Sequence, residues 1–249
     1  MPEPKLATRD LCKAFGALCV TDRLSIEVAP NELHAIIGPN GAGKTTLLAQ
    51  LSGEVRPDSG TVELDGRDIT RRAAYERARL GVARSFQITT LCADFTVEDN
   101  VALAVQAREP HSFRFWRSAK RDPVLREPAR TLLERVGLSA RAQLPSRVLS
   151  HGEHRQLEIA VALALEPQVL LLDEPLAGVG IEESRTLVGI LASLKGTMTI
   201  VLVEHDVVAV EELADRVTVL DGGRAIAGGT FAEIRGDAAV RRAYLGGEA

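Results

Sequence analysis

The 249-residue chain has three cysteines, Cys12, Cys19 and Cys92, and no two of them are spaced as C-x-x-C. Such a count supplies no disulfide framework and reads as reduced, packed thiols in a cytoplasmic protein. No run approaches about 18 uninterrupted apolar residues, so no segment is expected to span a membrane. The opening Met1-Pro2-Glu3-Pro4-Lys5 lacks the apolar core of a secretion signal. An excess of basic charge is missing too: the net charge is -4, which argues against nucleic acid as a partner. Internal repeats and low-complexity linkers are absent. What remains, 45% hydrophobic and 26% charged residues, is the composition of a soluble globular protein with a large core.

Against that background one stretch stands out, Gly38-Pro39-Asn40-Gly41-Ala42-Gly43-Lys44-Thr45-Thr46. It follows the apolar run Leu33 to Ile37 and leads into Leu47 and Leu48, so it reads as a strand, a glycine-rich turn and a helix. In that setting G-x-x-x-x-G-K-[ST] is a phosphate-binding loop. Gly38, Gly41 and Gly43 allow positive φ, which lets successive N–H groups converge on one anion. The helix beginning near Lys44 adds the positive end of its dipole. Lys44 is expected to reach the β- and γ-phosphates and Thr45 to offer its hydroxyl to Mg²⁺.

Around this loop the pattern is α/β. Leu24, Ile26 and Val28 alternate with polar residues as a half-buried strand, and Leu6–Thr8 and Leu18–Val20 are expected to join it in an antiparallel layer. Thr61–Leu64 and Val82–Ser85 are further strands, and Arg71–Leu80 reads as a charged surface helix. From 88 to about 150 there is no strand signal. Val97, Val101 and Val105, then Leu125, Leu132, Leu133 and Val136, fall at helical spacing, which predicts a helical subdomain inserted in the nucleotide-binding core. Beyond it, helices over 152–165, 181–194 and 207–214 alternate with apolar strands over 169–172, 199–203 and 217–220. Continuous apolar runs separated by helices indicate parallel strands buried on both faces. Asp221-Gly222-Gly223 predicts a hairpin to Ala225–Ala227. The whole of 1–249 is expected to be one P-loop domain, with an antiparallel layer, the helical subdomain and a helical tail over about 230–249.

Further stretches invite chemistry. Val169–Leu172 ends in Asp173-Glu174, which a parallel strand delivers to the sheet edge that holds the phosphate loop. Asp173 is then placed to hold Mg²⁺ and Glu174 to polarise an attacking water. Ser150 and Glu153 form a capping box, a structural device; the same helix start can also bind phosphate, but only one supplied by a second chain. His151 and His154 stand three apart, yet no cysteine or third histidine lies near enough to complete a metal site. Residues 111–121 are basic and aromatic, which suits single-stranded nucleic acid, an amphipathic surface or a partner docked near a membrane. One short patch on an acidic chain is a poor footprint for nucleic acid.

The series phosphate loop, Phe86-Gln87, Leu149-Ser150-His151-Gly152-Glu153, Leu171-Leu172-Asp173-Glu174-Pro175 and Val203-Glu204-His205-Asp206 resembles the ATP-binding subunits of ABC transporters, in the family's order and across nearly the whole chain. No Asn-Lys-x-Asp motif is present, which sets the small GTPases aside. The resemblance implies that Phe15 stacks on adenine and that Gln87 couples Mg²⁺ and the attacking water to the membrane partner. It further implies that Ser150 and Gly152 close on the γ-phosphate of an opposite subunit, that Glu174 is the catalytic base and that His205 is the γ-phosphate switch. Two positions depart from the family: His151 stands for a glycine, and Gly180 for the aspartate that usually ends the loop after Pro175.

Ala83-Arg84-Ser85-Phe86-Gln87, the insert around Trp116, Leu157-Glu158-Ile159-Ala160 and Arg242-Ala243-Tyr244-Leu245-Gly246 are similar to the larger ATPase subunit of branched-chain amino acid importers. By that likeness ATP and Mg²⁺ lie between two ATPase subunits, identical or different, on the cytoplasmic face of the inner membrane. Permease subunits and, indirectly, a periplasmic solute-binding protein are the other partners. The alternatives are the ATPase of a lipid or lipopolysaccharide exporter and a soluble ATPase acting on DNA or ribosomes.

Overall fold

A computed structural model describes residues 3–85, 91–108, 122–237 and 240. An antiparallel sheet is built from β1 (Leu6–Phe15), β2 (Leu18–Val28), β4 (Ser59–Leu64) and β5 (Arg67–Asp68), in the order β2-β1-β4-β5. The second sheet runs β10 (Arg224–Gly229), β9 (Arg216–Asp221), β3 (Leu33–Ile37), β8 (Thr199–Val203), β7 (Val169–Asp173), β6 (Val82–Arg84). All its neighbours are parallel except the β9–β10 hairpin.

The apolar runs of the parallel strands are continuous because two cores share them. Val169 and Leu171 with Val201 and Val203 face the core that also holds Leu6, Leu24 and Ile26 of the antiparallel sheet and Leu47, Leu48 and Leu51 of α1 (Lys44–Ser52). Leu170, Leu172, Ile200 and Leu202 face the opposite core, built with α5 (His151–Ala164) and α6 (Ile181–Leu194). Each such fully buried leucine or valine contributes about 1.5–3 kcal/mol. The helix α1 is therefore clamped between two sheets. Strand alternation puts Asp173 on the same side as Val169 and Leu171, toward α1.

Among the described residues from 91 to 150 there is no named strand. Here α3 (Val97–Arg108) and α4 (Pro123–Arg135) pack on each other and on α5. Buried Glu98 ties α3 to α4, accepting from Arg130 Nε (3.2 Å) and from Gln143 Nε2 (2.6 Å). The remaining α-helices among the described residues are α2 (Ala74–Arg79), α7 (Val207–Leu213) and α8 (Phe231–Gly236). Most of the proposed tail, the segment 86–90 and the basic aromatic stretch 111–121 lie outside the described residues.

Two expectations need correction. The segments 18–20 and 24–28 are one strand, β2; Arg23 adopts φ 47 and the pairing with β1 shifts register nearby, which breaks the alternation without ending the strand. The charged helix over 71–80 is shorter and is not wholly a surface element. Its Arg77 is 1% exposed and donates to the carbonyls of Gln50 (2.7 Å), Leu51 (2.8 Å), Thr70 (2.9 Å) and Arg72 (3.1 Å). Burial lowers the Arg77 pKa to about 10, so the guanidinium stays charged at neutral pH and caps the C-terminus of α1.

Candidate nucleotide site

Parallel strands bring their carboxyl ends to one edge, and that edge carries the loop at 38–46, Asp173-Glu174 and Glu204-His205. The phosphate loop is held from behind by backbone. Gly223 N–H donates to the Ala42 carbonyl (3.1 Å), and Asp22 N–H donates to the Gly223 carbonyl (2.9 Å). Gly43 caps α1 with φ 98, and a Cβ there would lie 2.4 Å from the Val20 carbonyl oxygen. At Gly38 a Cβ would lie 2.2 Å from the Leu220 carbonyl oxygen, whereas Gly41 faces open space and needs glycine only for its φ of 82. Close backbone approach, not flexibility alone, thus dictates the outer glycines. Gly43→Ala is expected to weaken ATP binding by about fivefold to a hundredfold, since the clash and the positive φ together cost roughly 1–3 kcal/mol. Calorimetric titration with ATP measures it.

Lys44 is buried, and its Nζ donates to the carbonyls of Gly38 (2.8 Å) and Pro39 (3.1 Å), lying across the loop. Thr45 is exposed and its Oγ1 donates to Asp173 Oδ1 at 3.4 Å, while Thr46 is half-buried behind it. The other Asp173 oxygen accepts from Arg84 Nη2 (2.8 Å), and Arg84 Nη1 bonds Glu54 Oε2 (2.8 Å). Periodicity gave no signal for this buried Arg84–Asp173 pair, which orients the carboxylate. Thr45 and Asp173 offer a hydroxyl and a carboxylate side by side, a hard-oxygen set that fits Mg²⁺ alongside phosphate and water oxygens.

Glu174 is half-buried and adopts φ 47, a left-handed conformation that costs a non-glycine residue about 1–3 kcal/mol. Its N–H donates to the Val203 carbonyl (2.9 Å). His205 begins the loop after β8 with an exposed side chain. Asp206, next to it, caps α7 by accepting from Val208 N–H (2.9 Å) and Ala209 N–H (3.1 Å). Between the two loops Glu204 is fully buried, and burial pushes its carboxyl pKa up against the N–H groups around it. Phe15 lies half-exposed at the tip of the β1–β2 hairpin, with Lys13 Nζ 5.4 Å from its ring centre. Gln87 lies outside the described residues.

The capping box is formed at α5. Ser150 Oγ accepts from Glu153 N–H (3.2 Å), Ser150 N–H donates to Glu153 Oε2 (2.9 Å), and Glu153 Oε1 accepts from Arg141 Nε (2.8 Å). Glu153 is thus engaged as a helix cap. Sequence reading missed Glu183. Ser150 Oγ donates to its Oε1 (2.7 Å), Gly180 N–H donates to its Oε2 (3.2 Å), and Gly152 N–H faces the same group. The Ser150 hydroxyl, then the Gly180 and Gly152 N–H groups, hold the Glu183 carboxyl below the usual carboxylate range. Gly152 is required here, because a Cβ would come within 2.5 Å of Glu183 Cδ. Of the two departures, His151 donates from Nε2 to the Ala177 carbonyl (3.3 Å), and Gly180 serves as N-cap of α6. His154 Nδ1 instead bonds the Ser150 carbonyl (2.8 Å). Among the described residues no three His, Cys, Asp or Glu side chains cluster as a metal site.

A phosphate loop and an acidic strand end sharing one sheet edge define a P-loop nucleotide-binding domain. The added antiparallel sheet and the helices packed on α5 make it an ATP-binding cassette. Comparison with known proteins agrees: the ABC transporter profile matches residues 21–177, and one described as branched-chain amino acid ATP-binding cassette transporter matches residues 226–249. The chain belongs to the ABC transporter family and is an ATPase. It is 36% identical to the high-affinity branched-chain amino acid transport ATP-binding proteins LivG of Salmonella typhimurium and Escherichia coli K12, over 99% of both chains in each case. It is 34% identical to the corresponding protein BraF of Pseudomonas aeruginosa, again over 99% of each. A solved ATP-binding cassette of an ABC transporter in its ADP conformation superposes with a TM-score of 0.85 at 28% identity, covering 98% of this chain and 99% of that one. These likenesses favour the importer reading over the exporter and soluble-ATPase alternatives. Among the described residues no helix is long and apolar enough to cross a membrane.

Proposed function

We propose that this ATPase energises uptake of branched-chain amino acids or related small solutes, seated on the cytoplasmic face of the inner membrane against permease subunits. The observation that carries the cargo class is the match of residues 226–249 to the branched-chain family, joined to whole-length similarity to branched-chain transport proteins. In this reading residues 88–150 are a helical subdomain, and a second ATPase subunit completes each site. The gly-rich loop and Lys44 hold the β- and γ-phosphates, Phe15 stacks on adenine, and Thr45, Asp173 and Gln87 hold Mg²⁺. The metal, when bound, neutralises charge on the β- and γ-oxygens. Glu174 accepts the proton of the attacking water, and His205 contacts the γ-phosphate. Donors at the start of the partner's α5, Ser150 and Gly152, meet the same phosphate from across the interface.

The test is uptake into proteoliposomes that contain the chain together with the permease subunits of a branched-chain amino acid importer. Internal ATP should drive accumulation of radiolabelled leucine or isoleucine, stimulated by the solute-binding protein. Outward movement of lipid with no solute uptake would defeat the proposal.

Closure of this kind must displace Glu183, whose carboxylate already engages the Ser150 hydroxyl. Glu183→Ala is therefore expected to tighten ATP-driven association of the subunits roughly fivefold, since that competing hydrogen bond no longer has to be broken. Sedimentation velocity over a concentration series reads this directly. Weaker association than in the parent would show that Glu183 supports the interface.

A further inference from the structure

Glu204 lies between β8 and the His205 loop and is 0% exposed; among the described residues the one basic side chain within ion-pair distance is the His205 imidazole, at 3.9 Å. Its two oxygens are used for different loops. Oε1 accepts from Leu176 N–H at 2.8 Å, on the turn that follows Glu174 and Pro175. Oε2 accepts from His205 N–H at 3.1 Å, and the Asp206 N–H approaches the same carboxylate. The strand below it is anchored in turn, with Asp173 paired to Val203 and Glu204 N–H directed at the Ile36 carbonyl (3.4 Å) of β3.

We propose that Glu204 is a positioning residue for hydrolysis, its one buried carboxylate fixing both the backbone turn behind Glu174 and the start of the His205 loop. The inference rests on the reading of Glu174 and His205 given above. A buried carboxylate is an expensive group to keep and persists where backbone donors are aimed at it. Here those donors belong to two segments that hydrogen-bonded strands alone leave free. The left-handed backbone of Glu174 is a conformation that relaxes unless neighbours over-determine it. Its own N–H bond to Val203 holds one side, and the Leu176 N–H bond to Glu204 holds the other. Glu204 thereby sets where the Glu174 carboxylate points without touching nucleotide.

A glutamine at 204 keeps the shape but offers one acceptor oxygen, and its NH₂ group must face a backbone N–H. Glu204→Gln should lower kcat for MgATP by about tenfold to a hundredfold, the effect of displacing a catalytic group by a fraction of an ångström to one ångström. Nucleotide affinity and KM should stay within about twofold of the parent, since phosphate-loop contacts are untouched. Glu204→Ala should lose more turnover than the glutamine variant. Parallel loss of affinity and kcat would mean a general structural role and would overturn the proposal, as would an unchanged kcat.

Glu174→Gln serves as the control. If it hydrolyses ATP like the parent, the site reading itself fails; if it is inactive while Glu204→Gln keeps parental turnover, only the positioning claim fails. Amide hydrogen exchange on the unaltered chain provides an independent readout should the variants not fold. Leu176 and His205 amides should be strongly protected, and exchange at the rate of open loop amides at both would overturn the proposal.

Discussion

Glu174→Gln is expected to bind ATP and Mg²⁺ as the parent does while turning over at least about a hundredfold more slowly, the usual range for loss of a general base being 10²–10⁴. The substitution is isosteric and leaves intact the N–H bond from Glu174 to Val203 that holds its left-handed backbone. It removes only the capacity to take a proton. Because the γ-phosphate survives, ATP should accumulate between subunits, and the variant should run as a dimer in MgATP and as a monomer in ADP. Single-turnover hydrolysis combined with size-exclusion chromatography tests both halves. Parental hydrolysis by this variant would remove Glu174 from the mechanism, and failure to associate would remove the two-subunit site.

Arg77→Ala should produce the largest loss of stability, about 3 kcal/mol, read as a lower urea midpoint or a fall in Tm of roughly 10 °C. The guanidinium spans four carbonyl oxygens on two segments, including Gln50 and Leu51 in the last turn of α1. Removing it leaves those acceptors buried and takes away the cation that opposes the negative end of the helix dipole. Arg77→Lys is expected to recover less than half of the loss, because a point-like ammonium cannot fork across both segments. Arg71→Ala, at an exposed position of the same stretch, should lie within about 0.5 kcal/mol of the parent. The effect should reach the site, since α1 is the helix that starts at Lys44. Equal stability of the Arg77 and Arg71 variants would refute the capping role.

Much of the architecture follows from local pattern. The helix over 181–194 and the strand over 199–203 have the bounds expected from periodicity, and the phosphate loop follows from glycine spacing between an apolar run and a helix. The antiparallel layer was harder to read. Asp10 and Arg23 adopt φ near 45° and interrupt alternation, so long strands looked like short ones. Charge content misled at α2, where five nearby arginines (67, 71, 72, 77 and 79) have the same chemistry and only one is buried.

By itself the order of residues determined that this chain binds a triphosphate and which of its segments reach the sheet edge, because φ preferences, strand alternation and helical spacing are short-range properties. Tertiary structure decided the pairings that make those segments a site: Arg84 on Asp173, Glu183 on Ser150, Glu204 on Leu176 and His205, Arg77 on the end of α1. Most of these join residues far apart in the chain. Their hydrogen bonds depend on where the strands and helices come to rest against two cores, a geometry that no local pattern encodes.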